Sequence, residues 1–215
     1  MADSAGRDPP HPERRELQAD LAVHLAGLAL GATGAIVMVA VAAQSPGRLL
    51  PVAVYLAGLL AMLTCSALYN VWHSCRRRDW LRRLDHAAIF VMIAGTYTPL
   101  ALRLPEAWAI GLTAGLWTAA LVGVATKLLQ PHRVETLSIV LYLTLGWIGV
   151  VAIEPLLASL EPATLVLLLA GGLVYSGGVV FHLSAGRRYG RALWHGSVLV
   201  AATLHYAAIT SLLEA

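Results

Sequence analysis

The chain has 215 residues, of which 58% are hydrophobic and 13% are charged, and its formal net charge is +3. Soluble domains carry about 25% charged residues, so this composition excludes an ordinary soluble domain. Repeated apolar runs of about 20 residues predict helices that cross a bilayer. The pI of about 9.1 is compatible with nucleic-acid binding, but basic residues of membrane proteins usually mark the cytoplasmic side. We therefore expect membrane lipids, and not nucleic acid, as partners.

Seven apolar segments predict an all-α protein, a bundle of seven transmembrane helices. Residues 1–19 are polar and contain proline, which predicts a flexible cytoplasmic tail in front of a membrane domain at 20–213. The connections between the segments are short, so consecutive helices are expected to be antiparallel neighbours. The predicted helices cover residues 20–43, 50–74, 85–104, 107–128, 134–153, 162–183 and 192–213.

The Lys and Arg residues fall almost entirely on one side of the predicted membrane. Thirteen of the fifteen lie on the side of the N-terminus, and only Arg48 and Arg103 lie on the other side. Positively charged loops stay in the cytoplasm, so this distribution predicts a cytoplasmic N-terminus and a C-terminus outside. Termini on opposite sides of the membrane require an odd number of spans, and the seven predicted spans meet this requirement.

Polar side chains concentrate near the predicted cytoplasmic ends of several helices. They are Ser66, Asn70 and His73 on one face of the second helix, Asp85 and His86 on the third, His24 on the first, His182 on the sixth and His195 on the seventh. Ionisable groups within a bilayer are costly and usually face the bundle interior. A carboxylate surrounded by imidazoles predicts a divalent-metal site, and the alternative is polar packing at the membrane interface.

Three stretches of the sequence resemble the hemolysin III family of the progestin and adipoQ receptor superfamily, which is related to the alkaline ceramidases. They are SALY at 66–69, LRRLDHAAIFVMIAGTYTP at 81–99 and ALWHGSVLVAATLHY at 192–206. The resemblance implies seven helices, a cytoplasmic N-terminus and the cytoplasmic (inner) membrane of a bacterium. It also implies a zinc ion near the cytoplasmic helix ends, held by three histidines, with an aspartate that holds a zinc-bound water.

The sequence departs from the family's zinc pattern at two positions. Ser66, Asp85 and His195 match the family's serine, its aspartate and the second histidine of its last helix. Asn70 and Arg191 stand where the other two histidines are expected. An amide is a poor zinc ligand, and a guanidinium has no lone pair to give. We therefore expect zinc to be absent or weakly bound, with Arg191 filling the space as a partner of Asp85.

A rebuilt metal site is the alternative, and it would use His73, Asp85 and His195 with either His182 or His24. The expected function is that of a membrane protein with a degenerate metal site that senses or maintains lipid state. The first alternative is a zinc-dependent hydrolase of lipid amides, of the ceramidase type, with Asp85 and Ser66 as its catalytic residues. The second is a transporter or channel, although the middle helices carry almost no charge within the membrane.

Overall fold

The computed structural model of this chain describes residues 14–45, 47–72, 76–129, 135–184 and 187–214, without the side chains of 135–137 and 214. All regular secondary structure in these residues is helical. The elements are α1 (Arg14–Ala42), α2 (Leu49–Val71), α3 (Arg78–Ala101), α4 (Glu106–Leu129), α5 (Glu135–Gly146), a 3-10 helix (Ile148–Ala152), α6 (Ile153–Ser159), α7 (Pro162–Leu183) and α8 (Gly190–Glu214). The predicted ligand His73 lies outside the described residues.

Six stretches are long and apolar enough to cross a membrane. They are α1, α2, α4, α7, α8 and the stretch Ser138–Ser159, which includes α6 and most of α5. An all-helical protein with several apolar spans is therefore confirmed. α3 is the exception among the long described helices, because its first two turns carry several charged residues. It contacts α2, α4, α5 and α8, so much of its length faces other helices.

Two helices begin earlier than hydropathy predicts. α1 begins at Arg14 and α3 at Arg78, whereas the predicted apolar segments begin at residues 20 and 85. Both extensions are rich in charged residues, although they include apolar side chains such as Leu17 and Trp80. Glu16 and Asp79 lie in the first turns, where the helix dipole favours negative charge. Residues 14–19, predicted to belong to the tail, are helical in the structure.

The fifth predicted helix, 134–153, is interrupted after Gly146. The Tyr97 hydroxyl of α3 donates a hydrogen bond to the Gly146 carbonyl oxygen at 2.6 Å and accepts one from the Gly149 amide at 3.1 Å. A side chain inserted in this way interrupts the helical hydrogen-bond ladder. A Cβ atom at Gly149 would lie only 2.9 Å from the Tyr97 hydroxyl oxygen, so glycine leaves room for the insertion. The break therefore attaches the end of α5 to α3.

The backbones of α2 and α3 pack close together. A Cβ atom at Gly58 would lie 3.0 Å from the Val91 carbonyl oxygen, and one at Gly95 would lie 3.1 Å from the Val54 carbonyl oxygen. Small residues permit such an approach between membrane helices. Gly95, in the GTYTP stretch, therefore serves a close backbone contact with α2. This pairing fixes the position of α3 relative to α2.

The two basic residues that the sequence places on the outer side of the membrane bind the C-terminal end of α8. Arg48, just before α2, donates a hydrogen bond to the Leu213 carbonyl oxygen, and Arg103, just after α3, donates one to the Leu212 carbonyl oxygen. The last carbonyl groups of a helix lack partners within that helix, and positive charge is favoured there. Both arginines therefore stabilise the end of α8 and hold the ends of α2 and α3 beside it.

The α2–α3 contact predicts the effect of a larger side chain at Gly95. We expect Gly95→Leu to lower the melting temperature and the yield of folded protein in detergent. Overpacking costs about 1–3 kcal/mol, and the neighbouring atom here is a backbone oxygen that cannot move aside easily. The control is Gly115→Leu on α4, where an added Cβ would meet no atom within 4 Å. Equal melting temperatures for the two variants would contradict the prediction.

Candidate functional site

A cavity of about 1380 Å³ lies inside the bundle. Along α8 its wall runs from Arg191 through His195 and Val198 to His205, and residues of the other long helices complete it. The wall is apolar in its middle part, where Val198 faces residues such as Met92 of α3. The first turns of α3 and α8 make one end polar. The cavity therefore has an apolar body and a charged end.

Three ionisable side chains meet beside this charged end. α1 supplies Asp20 and His24, which are one turn apart, and α8 supplies His195. Asp20 Oδ1 lies 2.6 Å from His195 Nδ1 and 3.8 Å from His24 Nε2. The two imidazole rings have centroids 4.4 Å apart. Asp20 is 3% exposed and His24 is 7% exposed, so protein groups and not bulk water surround the carboxylate.

A second set of predicted residues surrounds Asp85. The Ser66 hydroxyl donates a hydrogen bond to the Asp85 carboxylate, and the Asp85 charge also interacts with His195. Asn70 Nδ2 donates to the Ser66 carbonyl oxygen at 2.9 Å and to Ser66 Oγ at 3.4 Å. Asn70 therefore orients Ser66, which in turn orients Asp85. The structure thus brings Ser66, Asn70, Asp85 and His195 together.

Arg191 lies one turn before His195 on α8, and its positive charge acts on Asp20. The sequence predicts Asp85 as the partner of Arg191, whereas the interactions of Asp85 in the structure are with Ser66 and His195. Asp20 lies within reach of Arg191 because α1 packs against α8. The region consequently contains two acids and not the single acid that the sequence predicts.

The alternative metal ligands lie in different places. His24 belongs to the cluster around Asp20. His182, near the end of α7, lines the cavity and packs against Trp194 with ring centroids 5.0 Å apart. Within the part of the chain that the structure describes, the group of ligands close enough to share a metal ion consists of Asp20, His24 and His195.

Asp20 is the candidate that the sequence prediction missed. A helix predicted to start at residue 20 places Asp20 at the membrane edge, where a carboxylate needs no buried partner. The signal that identifies it is spacing, because residues 20 and 24 lie on the same face of a helix. A carboxylate and an imidazole on one face of a membrane helix indicate a functional pair. Only the true start of α1, at Arg14, places that pair inside the helix.

The family resemblance implies zinc, and the donor atoms can be compared with that expectation. Positions 70 and 191 supply an amide and a guanidinium, which do not fit. The ligand atoms of Asp20, His24 and His195 lie within 4.8 Å of one another, and two imidazoles with a carboxylate suit zinc. His24 Nε2 is buried and has no hydrogen-bond partner among the described residues. Among the described residues, a metal ion would therefore take its ligands from α1 and α8.

Comparison with known proteins identifies the family. The family model described as Haemolysin-III related matches residues 19–206. The chain is 38% identical to the Hemolysin-3 homolog of Bacillus subtilis (strain 168) over 143 residues, which are 66% of each chain. It is 37% identical to Hemolysin-3 of Bacillus cereus over 149 residues, which are 68% of this chain and 67% of that protein.

A more distant relative comes from animals. The human monocyte to macrophage differentiation factor is 29% identical over 167 residues, which are 73% of this chain and 67% of that protein. The chain thus spans about two thirds of the length of each of these relatives. The family match covers the described residues that line the cavity, with the exception of Glu16. The chain therefore belongs to the haemolysin-III related family.

Proposed function

We propose that this membrane protein binds a membrane lipid in its cavity and thereby senses or maintains the lipid state of the membrane. The observation that carries the proposal is the cavity of about 1380 Å³ with an apolar body and a charged end. Pockets for drug-sized ligands measure about 300–1,000 Å³, so this cavity has room for a longer amphiphile. An acyl chain fits the apolar body, and a polar headgroup fits the charged end.

The charged end decides which lipid binds. An acyl chain that leaves the bilayer for the cavity gains little free energy, because the surrounding lipid tails are as apolar as the cavity wall. Selectivity must therefore come from hydrogen bonds and charges at the headgroup. Arg191, His195 and Asp85 all line that end of the cavity. This binding needs no metal ion, because the groups that would contact a headgroup are side chains of the protein.

Lipid binding predicts that filling the cavity displaces the lipid. We expect Val179→Trp to reduce the amount of lipid that copurifies with the protein, because Val179 lines the cavity. The matched control is Val180→Trp, since the Val180 side chain is 56% exposed and does not line the cavity. Mass spectrometry of extracted lipids measures the effect. Equal lipid content in both variants, with unchanged melting temperatures, would contradict lipid binding in this cavity.

We also propose that the charged end faces the cytoplasm and that α3 is a seventh span, which places the C-terminus outside. The start of α3 and the start of α8 line the same end of the cavity, whereas Arg48 and Arg103 bind the opposite end of α8. The side with more basic residues is normally the cytoplasmic one. The bacterial relatives support the cytoplasmic membrane of a bacterium as the location.

Reporter fusions test this topology. We expect alkaline phosphatase fused after Ala215 to be active, because the enzyme needs the oxidising environment outside the cytoplasm. The same reporter fused after Gln130, between α4 and α5, should be inactive. Activity in the opposite pattern would overturn either the orientation or the assignment of α3 as a span, because loss of one span before residue 130 inverts both fusion sites. Activity at both sites or at neither site would overturn the number of spans.

A metal-dependent hydrolase of lipid amides is the second candidate function, and the cluster of Asp20, His24 and His195 favours it. Bound zinc would supply an activated water for attack on an amide or ester. The side chain of Asp85 lies on the cavity wall next to this cluster, and Ser66 orients it. A carboxylate in this position can accept a proton from a group bound in the cavity. The positive charge of Arg191 beside Asp20 opposes metal binding.

Metal analysis separates the two candidate functions. We expect purified wild-type protein to contain far less than one zinc per chain, and Asn70→His with Arg191→His to approach about one, because the double change supplies two imidazoles and removes a cation. The hydrolase candidate predicts about one zinc in the wild type, lost in His24→Gln and kept in His182→Gln. Elemental analysis by plasma mass spectrometry distinguishes these outcomes.

A further inference from the structure

The charged end of the cavity carries an excess of positive charge. Among the described residues, six basic side chains line the cavity, against two acidic ones. The basic residues are Arg78 and Arg82 of α3, Lys127 of α4, Arg187 and Arg188 of the loop before α8, and Arg191 of α8. The acidic residues are Glu16 and Asp85. The arginines come from two chain segments that are far apart in sequence, and the fold directs both towards one opening.

Membrane topology alone does not explain this arrangement. Basic residues are expected in cytoplasmic loops, but such a rule does not require them to face a cavity. Arg76 and Arg77 belong to the same basic run as Arg78, and they are exposed and do not line the cavity. Membrane topology therefore accounts for Arg76 and Arg77, whereas Arg78 also lines the cavity.

Two of these arginines interact with nearby acids. Arg188 Nε lies 4.0 Å from Glu16 Oε1, and Arg191 interacts with Asp20. The Asp85 carboxylate interacts with Ser66 and His195. Arg78 and Arg187 add further positive charge at this end of the cavity. A cavity mouth lined by charges of one sign attracts a ligand of the opposite sign, so this end favours an anionic group.

We propose that the cavity binds a lipid with a phosphate-bearing anionic headgroup, with the phosphate at the arginines and an acyl chain in the apolar body. The inference rests on the proposed lipid binding and adds the chemical class of the lipid. The guanidinium group binds phosphate oxygens through two parallel hydrogen bonds. Basic pockets between membrane helices at the cytoplasmic side are suited to anionic headgroups.

The depth of the cavity favours a lipid over a free phosphate compound. The wall continues from the arginines past His195 and Val198 to His205, which lies about 15 Å beyond His195 along α8. A soluble anion would occupy only the charged end and leave this apolar part without a ligand. A lipid satisfies both parts at once, so headgroup and acyl chain are expected to contribute together.

The test compares lipids that differ only in the headgroup. Full-length protein in a non-ionic detergent is titrated with phosphatidylglycerol or phosphatidylcholine of identical acyl chains, and bound lipid is counted by native mass spectrometry. Glycerol phosphate is titrated as the soluble anion. We expect phosphatidylglycerol to bind at least about tenfold more tightly than phosphatidylcholine, because only the former has a net negative headgroup. Glycerol phosphate should compete weakly.

Two double variants of equal charge change locate the binding site. Arg78→Gln with Arg187→Gln removes two side chains from the cavity, and we expect it to abolish most of the preference for phosphatidylglycerol. Arg76→Gln with Arg77→Gln removes the same charge outside the cavity and should keep the preference. Melting temperatures close to wild type in both variants show that the fold is intact, and Arg187→Gln alone serves if the first double variant is unstable.

Each outcome decides one proposal. Equal binding of the two lipids, or equal loss in the two double variants, would overturn the anionic specificity and leave lipid binding in place. Full competition by glycerol phosphate would assign the arginines to a soluble anion and also overturn it. If neither lipid binds saturably to protein of normal stability, the proposed function itself is overturned.

Discussion

The hydrogen bond between Asp20 and His195 connects the first described helix to the last, and the charged end of the cavity depends on it. At 2.6 Å it brings α1 against α8 and places His24 and Arg191 around one buried carboxylate. Loss of the hydrogen-bond partner of a buried polar group costs about 1–3 kcal/mol, because the group left behind has no water to replace that partner. The contact therefore fixes both the closure of the bundle and the geometry of the candidate site.

The two positions that depart from the family's zinc pattern have roles of their own in this arrangement. Asn70 donates hydrogen bonds to Ser66, which orients Asp85 towards the cavity. Arg191 provides a permanent positive charge beside Asp20, in the region where the resemblance implies a metal ion. These side chains therefore stabilise the two acids without a metal, although the donor atoms around His24 would still suit one.

Hydropathy predicted the helices well, because an apolar run of sufficient length has few alternatives in a membrane. The close contact at Gly95 was also predictable, since a glycine in a packed membrane helix indicates a close neighbour. Asp20 and the break after Gly146 were not predicted. Both depend on contacts between helices, one with His195 of α8 and one with Tyr97 of α3, and a one-dimensional pattern does not specify which helices meet.

The polar residues at the cavity end are better explained by ligand binding than by stability. Well-packed apolar side chains in place of a buried ionic group are often neutral or stabilising, so a bundle optimised only for stability would not need the buried Asp20 and His24 there. These destabilising groups lie at the most polar end of the cavity, where a headgroup would contact them. The apolar body would give a bound lipid little advantage over the bilayer, so in the proposed function these costly groups are the ones that would distinguish one lipid from another.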